Sequence, residues 1–145
     1  MAVTGYAMAY GKKTSIAGFE GNSPSVLKLE AFNPSNLHSL PVYFEHDPSL
    51  TFGQWVDFSS DNYGLKATGV LFKEPFKQVP QLLVEVVSGV RQGLSFGGVG
   101  EIKKGELDIF DIREVSIVTQ PGVQGSKITD YSLTKEGEDF LKRIN

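Results

Sequence analysis

Short apolar segments, each ended by glycine, proline or a cluster with turn chemistry, run through almost the whole chain, and this rhythm constrains the fold more than any other feature. A strand needs only a handful of alternating or β-branched residues, whereas a globular helix needs about ten or more with a 3.6-residue stripe. "TGYAMAYG" and "SIAGFEG" are glycine-punctuated apolar segments, and "LPVYFEH" is a β-branched and aromatic run entered through Pro41. "TFGQWVDF" and "YGLKATGVLF" follow, joined by the turn cluster "SSDNYG" as a hairpin. "LSFGGVGEI" and "LDIFDIREVSIVT", separated by "KKGE", form another. One segment departs from this pattern. Apolar residues at 79, 82, 83, 86, 87 and 90 predict an amphipathic helix from Val79 to Val90, with Pro80 in its first turn and Gly93 at its end. After the loop "QPGVQGSK", the tail "SLTKEGEDFLKRIN" predicts a terminal helix in which Gly137 is a weak point. The expected fold is mainly β: a small barrel-like domain with one central amphipathic helix and a C-terminal helix.

Composition narrows the chemistry. With 145 residues, 40% of them hydrophobic, the chain is expected to form a single domain over residues 1–145 around one core. The absence of cysteine excludes disulfides, thiolate metal sites and a cysteine nucleophile, and it fits a reducing compartment. No basic start followed by an apolar run, and no long apolar window, suggests a signal peptide or a membrane span, so no membrane partner is expected. A net charge of −3 argues against a phosphate-backbone partner, and nucleic acid is not expected either. Another protein is the expected partner, and no metal or organic cofactor is called for.

Three polar residues gain meaning in combination. His46 ends an apolar run in "FEHDP", where Asp47 and Pro48 stop the strand and leave the imidazole at a rim. His38, in the loop "NPSNLHS", reads as a surface histidine. Ser95 lies in "GLSFGG", which does not match the strained G-x-S-x-G elbow of the α/β-hydrolases. Glu114, in "IREVSIVT", must either face solvent, which is the default for such a residue, or be held by a partner. Together they supply a base, a hydroxyl and an orienting carboxylate, the three roles of a serine hydrolase. Alternation places Leu94 and Phe96 on one face with Ser95 on the other, and Val115 and Ile117 on one face with Glu114 and Ser116 on the other. If "KKGE" closes the hairpin with a two- or four-residue loop, Ser95 falls directly across from Glu114. One bulge would instead send the two to opposite faces.

The ordered set "LEAFNPSN", "LPVYFEHDPSLTFGQWVDFSSDNYGLKATGVLF", an amphipathic helix, "GLSFGG" and "IREVSIVTQPG" resembles the prohead maturation proteases of tailed bacteriophages. These are serine peptidases similar in fold to the herpesvirus assemblins. The resemblance covers roughly residues 5 to 125. It implies a barrel-like fold and an endopeptidase that cleaves phage scaffold and major capsid proteins inside an assembling procapsid, in the cytoplasm of the bacterial host. Carried over by position, the family's "HD" histidine falls on His46, its serine after "GL" on Ser95, and its acid before the "VSIV"-type strand on Glu114. The assemblins have a histidine at the third position. The assemblin analogy also brings in a homodimer built through helices.

Two features depart from the assemblin pattern. The loop after Glu114, "TQPGVQGSK", lacks the arginine that is thought to steady the oxyanion in the assemblins. Backbone amides at Gly97 and Gly98, or within "PGVQG", remain as alternative donors. The chain also ends soon after this core, whereas many relatives carry a longer C-terminal extension. Two rival readings stand beside the protease: a catalytically silent structural or scaffold-binding module on the same barrel, and a hydrolase of another class.

Overall fold

The computed structural model describes residues 1–16, 19–24, 40–71, 80–135, 138, 139 and 142. Nine strands and one helix are defined among them: β1 (Ala2–Ala9), β2 (Lys13–Ile16), β3 (Phe19–Asn22), β4 (Pro41–Phe44), β5 (Asp47–Ser60), β6 (Gly64–Leu71), α1 (Pro80–Ser88), β7 (Gly93–Lys103), β8 (Glu106–Val118) and β9 (Ile128–Ser132). The strands join in the order β2-β3-β8-β4-β5-β6-β1-β9, with β7 added along β8. Residues 126–128 then close the curled sheet. Ile128 pairs with Gly5 of β1, Tyr6 N–H donates to Lys127 O (2.9 Å), and Leu94 N–H donates to Ser126 O (3.0 Å). Gly93 also bridges Lys127, so one short segment ties β1 to the start of β7. This is the barrel-like, mainly β architecture expected from the sequence.

The barrel interior collects the apolar alternates. Val42, Trp55, Leu65, Leu94, Val115 and Ile117 are completely buried. Trp55 satisfies its one polar group by donating Nε1–H to Val115 O (2.9 Å), which fastens β5 to β8 beneath the region where Glu114 and Ser116 emerge. Val86 is buried against the same core, with Val87 packed beside it, so α1 turns this pair of its apolar residues inward.

Several boundaries differ from the sequence reading. The helix ends at Ser88 rather than near Val90, because Gly89 (φ 83°) takes the left-handed conformation that caps helices and donates its N–H to Val86 O (3.3 Å). Gly93, expected at the helix end, instead opens β7, and Val90 is 64% exposed. "SIAGFEG" contributes to two strands, β2 and β3, which pair as a hairpin. β5 begins at Asp47, well before "TFGQWVDF". β9 lies where no element was expected, on an edge where four of its five residues are exposed. Val79, His38 and residues 136, 137, 140, 141 and 143–145 of the tail where a terminal helix was expected lie outside the described residues; Lys135, Glu138, Asp139 and Lys142 are helical, and Glu138 N–H donates to Thr134 O (3.0 Å). No helix among the described residues is long and apolar enough to cross a membrane.

Candidate active site

The β7–β8 hairpin begins in the expected register and then slips twice. Lys104 (φ 53°) and Gly105 (φ 75°) form a two-residue turn, with Lys103 opposite Glu106 and Ile102 opposite Leu107. One extra residue of β8 is accommodated between Ile109 and Asp111, and a second between Ile112 and Glu114. Each bulge alone would reverse the faces; the two together restore them. Ser95 is therefore paired with Ser116 rather than with Glu114, and Glu114 faces Gly97, but Ser95, Glu114 and Ser116 share one side of the hairpin.

Gly97 is matched to that neighbour. A methyl there would overlap Oε1 of Glu114 and lie 3.0 Å from its Cδ, so the missing side chain leaves room for the carboxylate. Gly98 allows the bulged backbone to approach, since a β-carbon would overlap the Asp111 carbonyl and lie 3.1 Å from Ile112 Cα. Both glycines thus have packing reasons, apart from the donor role considered for their amides.

His46 arrives from a different part of the sheet. β4 runs parallel to β8, with Tyr43 beside Ser116 and Phe44 beside Ile117, and then reverses at once into β5 with Phe44 opposite Asp47. The two turn residues are Glu45 (φ 52°) and His46 (φ 59°). Both dihedrals are those of a type I′ turn, normally filled by Asn or Gly, so this turn uses two residues that pay a conformational cost of roughly 1–2 kcal/mol each. Strong contacts hold it there. Glu45 N–H donates to Ile117 O (3.1 Å), and its Oε1 accepts from Thr119 N–H (2.8 Å) and from Arg91 Nη1. Arg91 also donates through Nε to Glu85 Oε2 (2.8 Å), linking the turn to the end of α1.

The turn lays the imidazole over β7 and β8. His46 Nδ1 bonds Glu114 Oε1, and Nε2 lies 3.2 Å from Ser95 Oγ. When the Glu114 carboxyl is ionised it only accepts, and Nδ1 then carries the proton while the Nε2 lone pair faces the Ser95 hydroxyl. Ser95 and Glu114 are buried, while 45% of the His46 side chain is open to solvent. The default expectation that Glu114 faces water therefore gives way to the alternative, a carboxylate held by partners. Its second oxygen, Oε2, accepts the hydroxyl of Ser116 (2.7 Å). Asp47, next to His46, is engaged elsewhere: the Ser49 hydroxyl (2.7 Å) and N–H (2.9 Å) hold its carboxyl below the usual carboxylate range. The arrangement can draw the proton from Ser95 as its oxygen attacks an electrophile, with the resulting imidazolium facing a carboxylate.

Ser116 is the member whose bond to Glu114 the sequence did not reveal. It shares the parity of Glu114, but its bond to the carboxylate depends on the slipped register and on the β4–β5 turn above it.

A family model described as caudovirus prohead serine protease matches residues 1–142. No curated protein matches the chain. Among solved structures, Kaposi's sarcoma-associated herpesvirus protease bound to a hexapeptide phosphonate inhibitor aligns with TM-score 0.57 and 15% identity, over 99% of this chain and 75% of that one. The same viral protease bound to a dimer disruptor aligns with TM-score 0.52 and 14% identity, over 99% and 88%. Varicella-zoster virus protease aligns with TM-score 0.53 and 14% identity, over 99% and 75%. At these identities the likeness shows a shared fold.

Proposed function

The chain belongs to the caudovirus prohead serine protease family, and from that premise we propose that it is an endopeptidase of procapsid maturation in which Ser95 is the nucleophile, His46 the general base and Glu114 the orienting carboxylate. The observation that carries the assignment is the single line of contacts from Glu114 Oε1 through both nitrogens of His46 to Ser95 Oγ. Ser95 Oγ attacks the scissile carbonyl carbon while its proton passes to His46 Nε2. Collapse of the tetrahedral intermediate breaks the C–N bond, and His46 returns the proton to the departing amine. Water, activated by the same imidazole, then hydrolyses the acyl-enzyme. The 3.2 Å separation of Nε2 and Oγ is typical of a resting site that tightens on substrate.

The substrates in this reading are the phage's scaffold and major capsid proteins, cut inside the assembling procapsid in the host cytoplasm. A homodimer belongs to the same reading, by analogy with the herpesvirus protease that binds a dimer disruptor. The test is incubation with the scaffold and capsid proteins encoded beside it, followed by mass spectrometry of the products. Defined fragments from the parent and none from Ser95→Ala are expected. Intact substrates with the parent protein would favour a silent binding module on this fold.

A further inference from the structure

We infer that Ser116 is a positioning residue of this site, holding the Glu114 carboxylate and the backbone of His46 in one closed hydrogen-bonded ring. The inference rests on the reading of His46, Ser95 and Glu114 given above. Ser116 is completely buried and lies directly across β7–β8 from Ser95. Its hydroxyl donates to Glu114 Oε2 (2.7 Å) and accepts the backbone N–H of His46 (3.1 Å). Glu114 Oε1 in turn accepts from His46 Nδ1, which brings the ring back to the residue where it began.

Each bond in this ring has a fixed direction. A hydroxyl has one proton, and a carboxylate cannot donate, so the Ser116 proton goes to Oε2 and its lone pair is left for the His46 N–H. Ser116 therefore cannot give that proton to a base, and it lies beyond solvent, which separates it from Ser95 in role although the two are paired. Its contact with His46 falls on the N–H of a residue with positive φ, where the backbone is least inclined to stay. The imidazole is thus gripped twice, at its ring by Glu114 and at its main chain by Ser116. Without Ser116 the carboxylate can rotate about its Cγ–Cδ bond and the turn can relax, and both motions carry Nε2 away from Ser95. A spacer that only filled volume would need neither bond.

The test compares Ser116→Ala with the parent in peptide cleavage, and again in the Glu114→Gln background. The expected result is a kcat lowered by about 10- to 100-fold with KM within about twofold, the loss associated with misplacing a catalytic group. In the Glu114→Gln background the same change should lower kcat by clearly less than in the parent, because the carboxylate it positions is gone and only its hold on the His46 backbone remains to be lost. The downfield His46 Nδ1 proton resonance should broaden in Ser116→Ala while the melting curve remains cooperative. Parent-like kcat in Ser116→Ala, or an equal loss in both backgrounds, would overturn the positioning role. If the alanine variant does not fold, Ser116→Cys leaves no cavity and offers a weaker donor; a reduced kcat in it supports the role and a parent-like kcat overturns it. Ser95→Ala is run in parallel. Cleavage persisting there refutes the underlying reading of Ser95, whereas an inactive Ser95→Ala beside a fully active Ser116→Ala refutes only the inference about Ser116.

Discussion

Gly97→Ala adds one methyl group two residues from Ser95, and the structure assigns its effect to Glu114. Gly97 has no positive φ, so alanine costs nothing in backbone conformation there. The new β-carbon would overlap Glu114 Oε1 and lie 3.0 Å from Cδ and 3.1 Å from Cγ. To reach ordinary carbon–carbon contact of about 3.5–4.0 Å, the carboxylate must withdraw by roughly 0.5–1 Å. A free glutamate would do so at little cost. This one is held at Oε1 by His46 and at Oε2 by Ser116, so withdrawal breaks at least one of the two bonds. Misplacement on this scale costs on the order of 100-fold in rate, about 2.7 kcal/mol of transition-state stabilisation. Overpacking should cost about 1–3 kcal/mol of stability, visible as a lower melting midpoint of a fold that still forms. The assay is kcat and KM on a peptide substrate beside a thermal melt, with the change repeated in Glu114→Gln, where the further loss should be small. A Gly97→Ala enzyme with parent kcat would refute the argument that Glu114 must stay where it is for His46 to act.

Three further outcomes are expected. Val86→Asp places an unpaired carboxylate in the core beneath α1 and should destabilise the fold by roughly 3–5 kcal/mol; an unchanged thermal midpoint would mean that the helix face is misread. His46→Ala should be inactive at neutral pH; parent-like cleavage by that variant would count against His46 as the base. Asp61 is held below the usual carboxylate range chiefly by the Tyr6 hydroxyl (2.6 Å), then by the Gly64 and Tyr63 amides and the Lys66 charge. A depressed folded-state pKa gives stability that is present above the usual carboxylate range and lost as pH falls through the depressed value. The melting difference between parent and Tyr6→Phe should therefore shrink as pH is lowered through that range, and a pH-independent difference would contradict it.

The candidate site was readable in outline because parity is robust. Ser95 and Glu114 share a face whether β8 carries no bulge or two, so the alternation of "LSF" and "REVSI" led to the right side from the wrong register. The bulges themselves were not readable: the extra residues fall within "IFDIRE", where no glycine or proline marks a break. His46 was expected at a rim and is there, but the chain reverses through it without pause. Nothing in "FEHD" resembles the Asn-Gly chemistry of a type I′ turn, because contacts from β8 and Arg91 hold that turn rather than its own preferences. The apolar stripe continuing to Val90 drew the helix toward Gly93, while Gly89 had already ended it. β9 was missed for a related reason: an edge strand exposed along most of its length carries little hydrophobic signal, and backbone pairing with β1 defines it.

The central claim is that Ser95 is the nucleophile and that His46 activates it. A fluorophosphonate probe followed by peptide mass spectrometry tests this most directly, because phosphonylation requires an activated hydroxyl and marks the residue that provides it. One adduct per chain on Ser95 is expected, with labelling abolished in Ser95→Ala and strongly slowed in His46→Ala. No adduct on folded protein, or one on Ser116 or any other residue, would contradict it.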